Sequence, residues 1–217
     1  MNSVNQPVVP LGTPHAERAD AARNRLHLLA VAREMLAEDG ADKLTMDGLA
    51  ERAGLGKGTV FRRFGSRAGI FRALLDDEEL AFQEQVLSGP PPLGPGAAPI
   101  ERLIAYGRDR AAFLIRNGVI ARASLDGGDR FPVGTQTPLS QVHIRMLVGQ
   151  MDLGAADLDL LSLQLTAALD APLLLYLSAE DLAGPHREMG ERVARSWQDL
   201  VQRVCRSAPG PASSERR

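Results

Sequence analysis

Apolar positions in this chain recur in steps of three and four, the period of one helix face, almost from end to end. Leu28, Leu29, Ala32, Met35 and Leu36 form the first stripe, which predicts a helix from Asp20 to Asp39, stopped by Gly40. Met46, Leu49, Ala50 and Ala53 follow at i, i+3, i+4 and i+7. Thr45 stands where a hydroxyl caps free backbone N–H groups, and Gly54 where a left-handed turn needs no side chain. A second short helix is expected from Lys57 to Phe64. Gly65-Ser66 breaks it, and a longer helix starts at Arg67 with Ile70, Phe71, Leu74 and Leu75 inward. That helix runs through the acidic Asp76 to Glu79 towards Leu87.

Residues 88–99, with Pro90, Pro91, Pro92 and Pro95 among Gly89, Gly94 and Gly96, forbid a helix or strand interior and read as a loop. Beyond it every segment is helical in pattern. Pro99 to Asn117 carries Leu103, Ile104, Tyr106, Phe113 and Leu114 on one broad side, and Gly118 to Leu125 is a short continuation. After a loop at 126–137, Pro138 opens a helix with Val142, Met146, Leu147 and Met151 expected inward. Asp157 to Ala179 is apolar nearly all round, the mark of a buried helix, with a kink expected at Pro172. The last helix begins at Pro185 and repeats Met189, Val193, Trp197, Leu200 and Val204 in steps of three or four. No strand-like alternation persists, so the fold class is all-α.

The two short helices, joined by a Gly-containing turn, make a helix-turn-helix. The second has unlike faces: Val60 and Phe64 share one side with Phe61 on its flank, and Gly58, Thr59 and Arg62 point the other way. From Lys57 to Leu75 the charged residues are Lys57, Arg62, Arg63, Arg67 and Arg72, with no acid until Asp76. Net charge over the whole chain is −2, so this positive field is placed locally, as a nucleic-acid surface requires.

Thr45, Leu49-Ala50, Ala53-Gly54, Gly58-Thr59-Val60-Phe61, Phe64 and Phe71 resemble the DNA-binding domain of the tetracycline-repressor (TetR) family of bacterial regulators. The resemblance covers about Arg25 to Leu75, and the rest of the chain fits in helix pattern and length. It implies an N-terminal three-helix helix-turn-helix domain and a larger C-terminal helical domain for ligand binding and dimerisation. The expected divisions are an arm at 1–16, the DNA-binding domain at 17–66, the effector and dimerisation domain at 67–207 with 67–87 as linking helix, and a loose tail at 208–217. Double-stranded DNA carrying a palindromic operator is then the partner, bound by a homodimer because twofold reading needs two heads.

Within that frame Arg62 and Thr59 face bases, since an Arg takes guanine O6 and N7 as a pair. Lys57, Arg63, Arg67 and Thr45 are expected to hold phosphates, and Gly58 to allow close approach to the groove. Phe61 is counted with the DNA-binding residues because it stands where the family often has Tyr; without the hydroxyl it cannot reach a phosphate, and packing alone is the other role open to it. Leu161, Leu165, Leu173, Leu177, Val193, Trp197 and Leu200 exceed what two helices hide, and the family packs its last two helices across a dimer. The family also binds a small effector in the larger domain, for which Tyr106, Phe113, His143, Met146 and Met151 are the candidates. The expected function is a repressor released by that effector. The alternative is an effector-free dimer whose C-terminal domain only dimerises.

Catalysis is not expected. His15, His27, His143 and His186 lack metal-binding spacing, no Gly-rich phosphate loop occurs, and no cofactor or metal is implied. Cys205 is the one cysteine, which excludes an internal disulfide and fits a reducing cytoplasm. No apolar run reaches the ~20 residues of a membrane span, so the expected place is the bacterial cytoplasm, at the nucleoid when DNA is bound.

Overall fold

The computed structural model describes residues 14–125, 137–178 and 186–205, with side chains at 20–125, 139–172 and 188–205. The expected loop at 126–137 and the ends at 1–13 and 206–217 fall mostly or wholly outside the described residues. All the regular structure described is helical: α1 Pro14–Asp39, α2 Met46–Arg52, α3 Lys57–Phe64, α4 Arg67–Ser88, α5 Pro99–Arg116, α6 Gly118–Ala123, α7 Thr137–Val148, α8 Leu158–Ser178 and α9 His186–Val204. A 3₁₀ turn, Ala41–Lys43, joins α1 to α2. The chain divides into two compact units, Met1–Leu74 and Leu75–Arg217.

In the first unit α1 starts at Pro14, six residues before the expected Asp20, at a residue whose fixed φ suits a first helical position. Leu28, Leu29, Ala32, Leu44, Leu49, Val60, Ile70 and Phe71 form the buried interior. The division falls at Leu74 rather than 66 because the opening turns of α4, with Ala68, Ile70, Phe71 and Leu74 buried, complete the first unit.

The second unit is built around α5, which packs chiefly on α9, while α7 packs on α8. Phe82, Val86, Leu103, Tyr106, Phe113, Ile144, Leu147, Leu165, Leu169, Val193, Trp197 and Val201 make its core. Trp197 lies on Gly107, where a Cβ would come within 2.0 Å of the indole Nε1. That Nε1 donates to the Leu103 carbonyl at 3.0 Å, so the glycine lets α9 close onto α5 and the indole keeps a partner.

Two sequence expectations are corrected here. On α7 the inward row is His143, Ile144, Leu147 and Val148, and Val142 (61 % exposed) and Met146 (42 %) point outward. Both sides of this helix are apolar, so periodicity alone selected the wrong one. α8 is not buried all round: Leu165 and Leu169 face the core, whereas Leu160 and Leu163 are half-exposed.

Candidate nucleic-acid interface

The turn between α2 and α3 is set by local chemistry. Thr45 is in extended conformation and its Oγ1 accepts from Gly48 N at 3.0 Å, capping α2. Gly54 takes φ 65° and Gly65 takes φ 72°, left-handed positions that end α2 and α3 without Cβ strain. Ser66 Oγ accepts from Gly69 N at 3.1 Å and caps α4.

With its ends fixed this way, α3 buries Val60 and Phe64 and turns Lys57, Gly58, Phe61, Arg62 and Arg63 outward, with Thr59 half-buried beside them. Phe61 is 64 % exposed, so the packing role expected from its lost hydroxyl is not the one it has. It is a bare ring on the same outer surface as Arg62. Among the described residues the Arg62 guanidinium hydrogen-bonds only to Thr59 Oγ1, at 3.4 Å, and so remains available for a base.

The expected phosphate holders differ from one another. Lys57 Nζ lies 2.7 Å from Asp47 Oδ2, both side chains well exposed. An exposed pair of this kind contributes at most about 1 kcal/mol, so a phosphate can displace the carboxylate. Arg63 Nη2 donates to the Ala21 carbonyl of α1 at 2.9 Å. Arg67 is more committed: its Nε donates to Leu44 O at 2.8 Å and its Nη2 to Ala41 O at 2.6 Å, with the guanidinium 5.0 Å over the Phe71 ring. Its first task is to tie the 3₁₀ turn to α4, a role that spacing gave no means of seeing.

A family model described as bacterial regulatory proteins, tetR family, matches residues 28–74, the helices just described. A DNA-binding transcriptional repressor TetR from Mycobacteroides abscessus is 39% identical over 59 residues, 27% of this chain and 31% of that protein. Residues 28–74 are therefore similar to the DNA-binding region of the tetR family. The chain spans about a third of the length of the curated relative it matches. In solved structures, a TetR-family transcriptional regulator from Pectobacterium atrosepticum superposes with TM-score 0.68 at 19% identity, over 88% of this chain and 98% of that one. A putative TetR-family regulator from Rhodococcus sp. gives 0.57 at 18%, over 85% and 100%. At such identities these two describe the fold alone, an all-helical one over most of both chains.

In the C-terminal unit, Tyr106 and His143 line a narrow cleft with Glu79, Phe82, Gln83, Val86, Leu87 and Leu139. Its interior is about 20 Å³, room for about one water. Tyr106 Oη donates to Ser140 Oγ at 2.6 Å, and its ring lies 5.0 Å from the imidazole of His143. Burial pushes the Tyr106 phenol up to about 12, against the pull of Arg110 and the Ser140 contact. Phe113 stacks at 5.3 Å on Phe82 and does not line the cleft. Neither do Met146, which is exposed on α7, and Met151, which packs at the edge of the core.

Spacing also missed the buried Arg110. Its Nη1 donates to Glu79 Oε2 at 2.7 Å, its Nε lies 3.8 Å from Asp170 Oδ1, and its guanidinium is 5.0 Å over Phe113. Burial works against its charge, but Glu79, Tyr106 and Asp170 outweigh that and lift its pKa. Three helices far apart in sequence meet in this pair.

Of the residues expected at a dimer contact, Leu165, Val193 and Trp197 (3 % exposed) are interior to a single chain, and Leu161 and Leu200 only border that core. The side chains of Leu173 and Leu177 lie outside the described ones. The outer apolar surface falls instead on Leu160 and Leu163 with the exposed Ala167, Ala168 and Ala171 of α8. An open groove of about 330 Å³ between α8 and α9 is lined by Ala168, Pro172, Met189, Ser196 and Leu200, among others. The Cys205 thiol is pushed up by burial, away from thiolate reactivity. No described helix is long and apolar enough to cross a membrane.

Proposed function

We propose that this protein is a sequence-specific DNA-binding transcriptional regulator of the TetR family, a repressor that leaves a palindromic operator when a small molecule binds its C-terminal unit. The observation that carries the reading is the outer face of α3, where Gly58, Thr59, Phe61 and Arg62 stand together while Val60 and Phe64 are buried on the other side. A helix of that shape enters a major groove, with Arg62 and Thr59 on base edges and Lys57, Arg63 and Thr45 on the backbone. The half-exposed leucines and small residues of α8 support a homodimer. Such a protein works in the cytoplasm, at the nucleoid when bound.

Selection of binding sites from random duplexes, followed by competition on site variants, tests this. Arg62→Ala should relax choice at one base pair, worth ~1–3 kcal/mol, while Lys57→Ala weakens all sequences alike and lowers the salt slope by about 1. Light scattering should give a dimer. A monomer that ignores every duplex at low ionic strength ends the proposal.

A second reading, an effector-free dimer whose C-terminal unit only dimerises, draws on the narrowness of the Tyr106–His143 cleft. Retention of DNA in the presence of every ligand that raises the melting temperature would favour it.

A further inference from the structure

Among the described residues, four side-chain atoms are buried without a hydrogen-bond partner: Arg102 Nε, Arg110 Nε, His143 Nε2 and Asp170 Oδ1. Arg110 Nε and Asp170 Oδ1 face each other at 3.8 Å and answer one another electrostatically. The two that remain are nitrogens. Arg102 reaches only the Val86 carbonyl, with Nη2 at 3.4 Å, and forms no ion pair among the described residues. Val86 is in the cleft wall, as is His143, which is 5 % exposed. Burial first, and then the Arg102 cation, push His143 down to about 4, so its ring is neutral and can donate from Nε2.

Of the other polar groups in the cleft wall, Gln83 is half-buried, and Glu79 and Tyr106 are already engaged. The Glu79 carboxylate is bonded to Arg110, and Tyr106 Oη to Ser140. What is left over is the buried Nε of a half-buried cation, Arg102, and the buried Nε2 of a neutral imidazole, each without an acceptor. Apart from Gln83 the remaining wall is apolar, from Phe82, Val86 and Tyr106 inward to Leu87 and Leu139 at the outer edge.

We propose that the cleft between α4, α5 and α7 binds a small monocarboxylic acid with an apolar body, its carboxylate accepting from Arg102 Nε and His143 Nε2. The body leaves the cleft past Leu87 and Leu139, the exposed apolar residues at its outer edge. One unpaired cation sets the charge of the ligand at −1, and the small interior seats one polar head and no more. An amine would meet Arg102 unscreened, and an alcohol would leave the guanidinium without a counter-charge. The inference rests on the reading of the C-terminal unit as an effector domain and names the chemistry it recognises.

The test uses the full chain with octanoate and phenylacetate, their alcohols octanol and 2-phenylethanol, and the amine phenethylamine. Thermal shift and calorimetry should show at least one acid binding about tenfold or more tightly than its alcohol, with no response to the amine. Arg102→Gln should remove that preference and Arg102→Lys restore part of it, each with an unliganded melt near that of the parent. The ¹⁵N resonances of the His143 ring should move on adding the acid, a readout that needs no DNA. Equal affinity for acid and alcohol, an acid preference unchanged in Arg102→Gln, a still His143 resonance, or no response to any acid each overturns the proposal. An acid that binds here yet leaves DNA affinity unchanged removes the effector reading and keeps the site. An amine or alcohol that releases DNA does the reverse.

Discussion

Gly69, in the first turn of α4, holds the end of the reading helix in place by having no side chain. A Cβ there would lie 1.9 Å from the Phe64 carbonyl oxygen and 2.9 Å from its carbon. Ordinary contact begins at 3.4 Å, so Gly69→Ala forces a separation of about 1.5 Å between α4 and the last residue of α3. The obstacle is backbone, and Ser66 N also donates to that same oxygen at 2.8 Å, so it has little room to give. Alanine gains about 0.5–1 kcal/mol as the better helix former. Overpacking costs about 1–3 kcal/mol, and a backbone obstacle belongs at the upper end. The net loss should be about 2 kcal/mol, a fall of roughly 8 °C or more in a unit of this size. Helical circular dichroism through a thermal melt measures it. Gly58→Ala is the control, since a Cβ there meets nothing within 4 Å. It should raise the melt slightly and weaken DNA binding by filling the space that faces the groove. A Gly69→Ala protein melting within a degree or two of the parent would refute the packing account.

Two further expectations concern single side chains. Arg67→Met removes the donors to Ala41 and Leu44, and should lower stability by about 1–3 kcal/mol in urea unfolding, as loss of charged hydrogen bonds does; an unchanged midpoint would return Arg67 to the phosphate holders. His143 has a folded pKa of about 4 against an ordinary 6.5, so its contribution to stability is whole above 6.5 and drains as pH falls towards 4. From pH 7 to pH 5 linkage removes about 2 kcal/mol that a His143→Asn protein keeps. Asp170, raised by burial, works in the opposite sense in both proteins and cancels in the comparison. Parallel pH profiles for the two would show that His143 protonates freely.

How much of this was legible beforehand depends on how local its cause is. α2, its turn and α3 are short, and each carries few large apolar residues. Thr45, Gly54, Val60, Gly65 and Phe64 therefore settle caps, turn and inward face within one stretch, and the outward set of Gly58, Thr59 and Arg62 follows from 100° per residue. The all-α class and nearly every helix position are legible for the same reason. Nothing local chooses a side for α7 or α8, because both are apolar around most of their circumference; only the neighbours decide that Ile144 and Leu165 go in while Val142 and Leu163 stay out. The Arg110–Glu79 pair joins residues 31 apart, and Trp197 meets Leu103 across 94. No period in a sequence carries separations of that length. The charge state of His143 and the unspent donor of Arg102 likewise arise only where α4, α5 and α7 close together and exclude water. The chain by itself determined what its reading helix presents, and the packed second unit determined what is left inside for a ligand to meet.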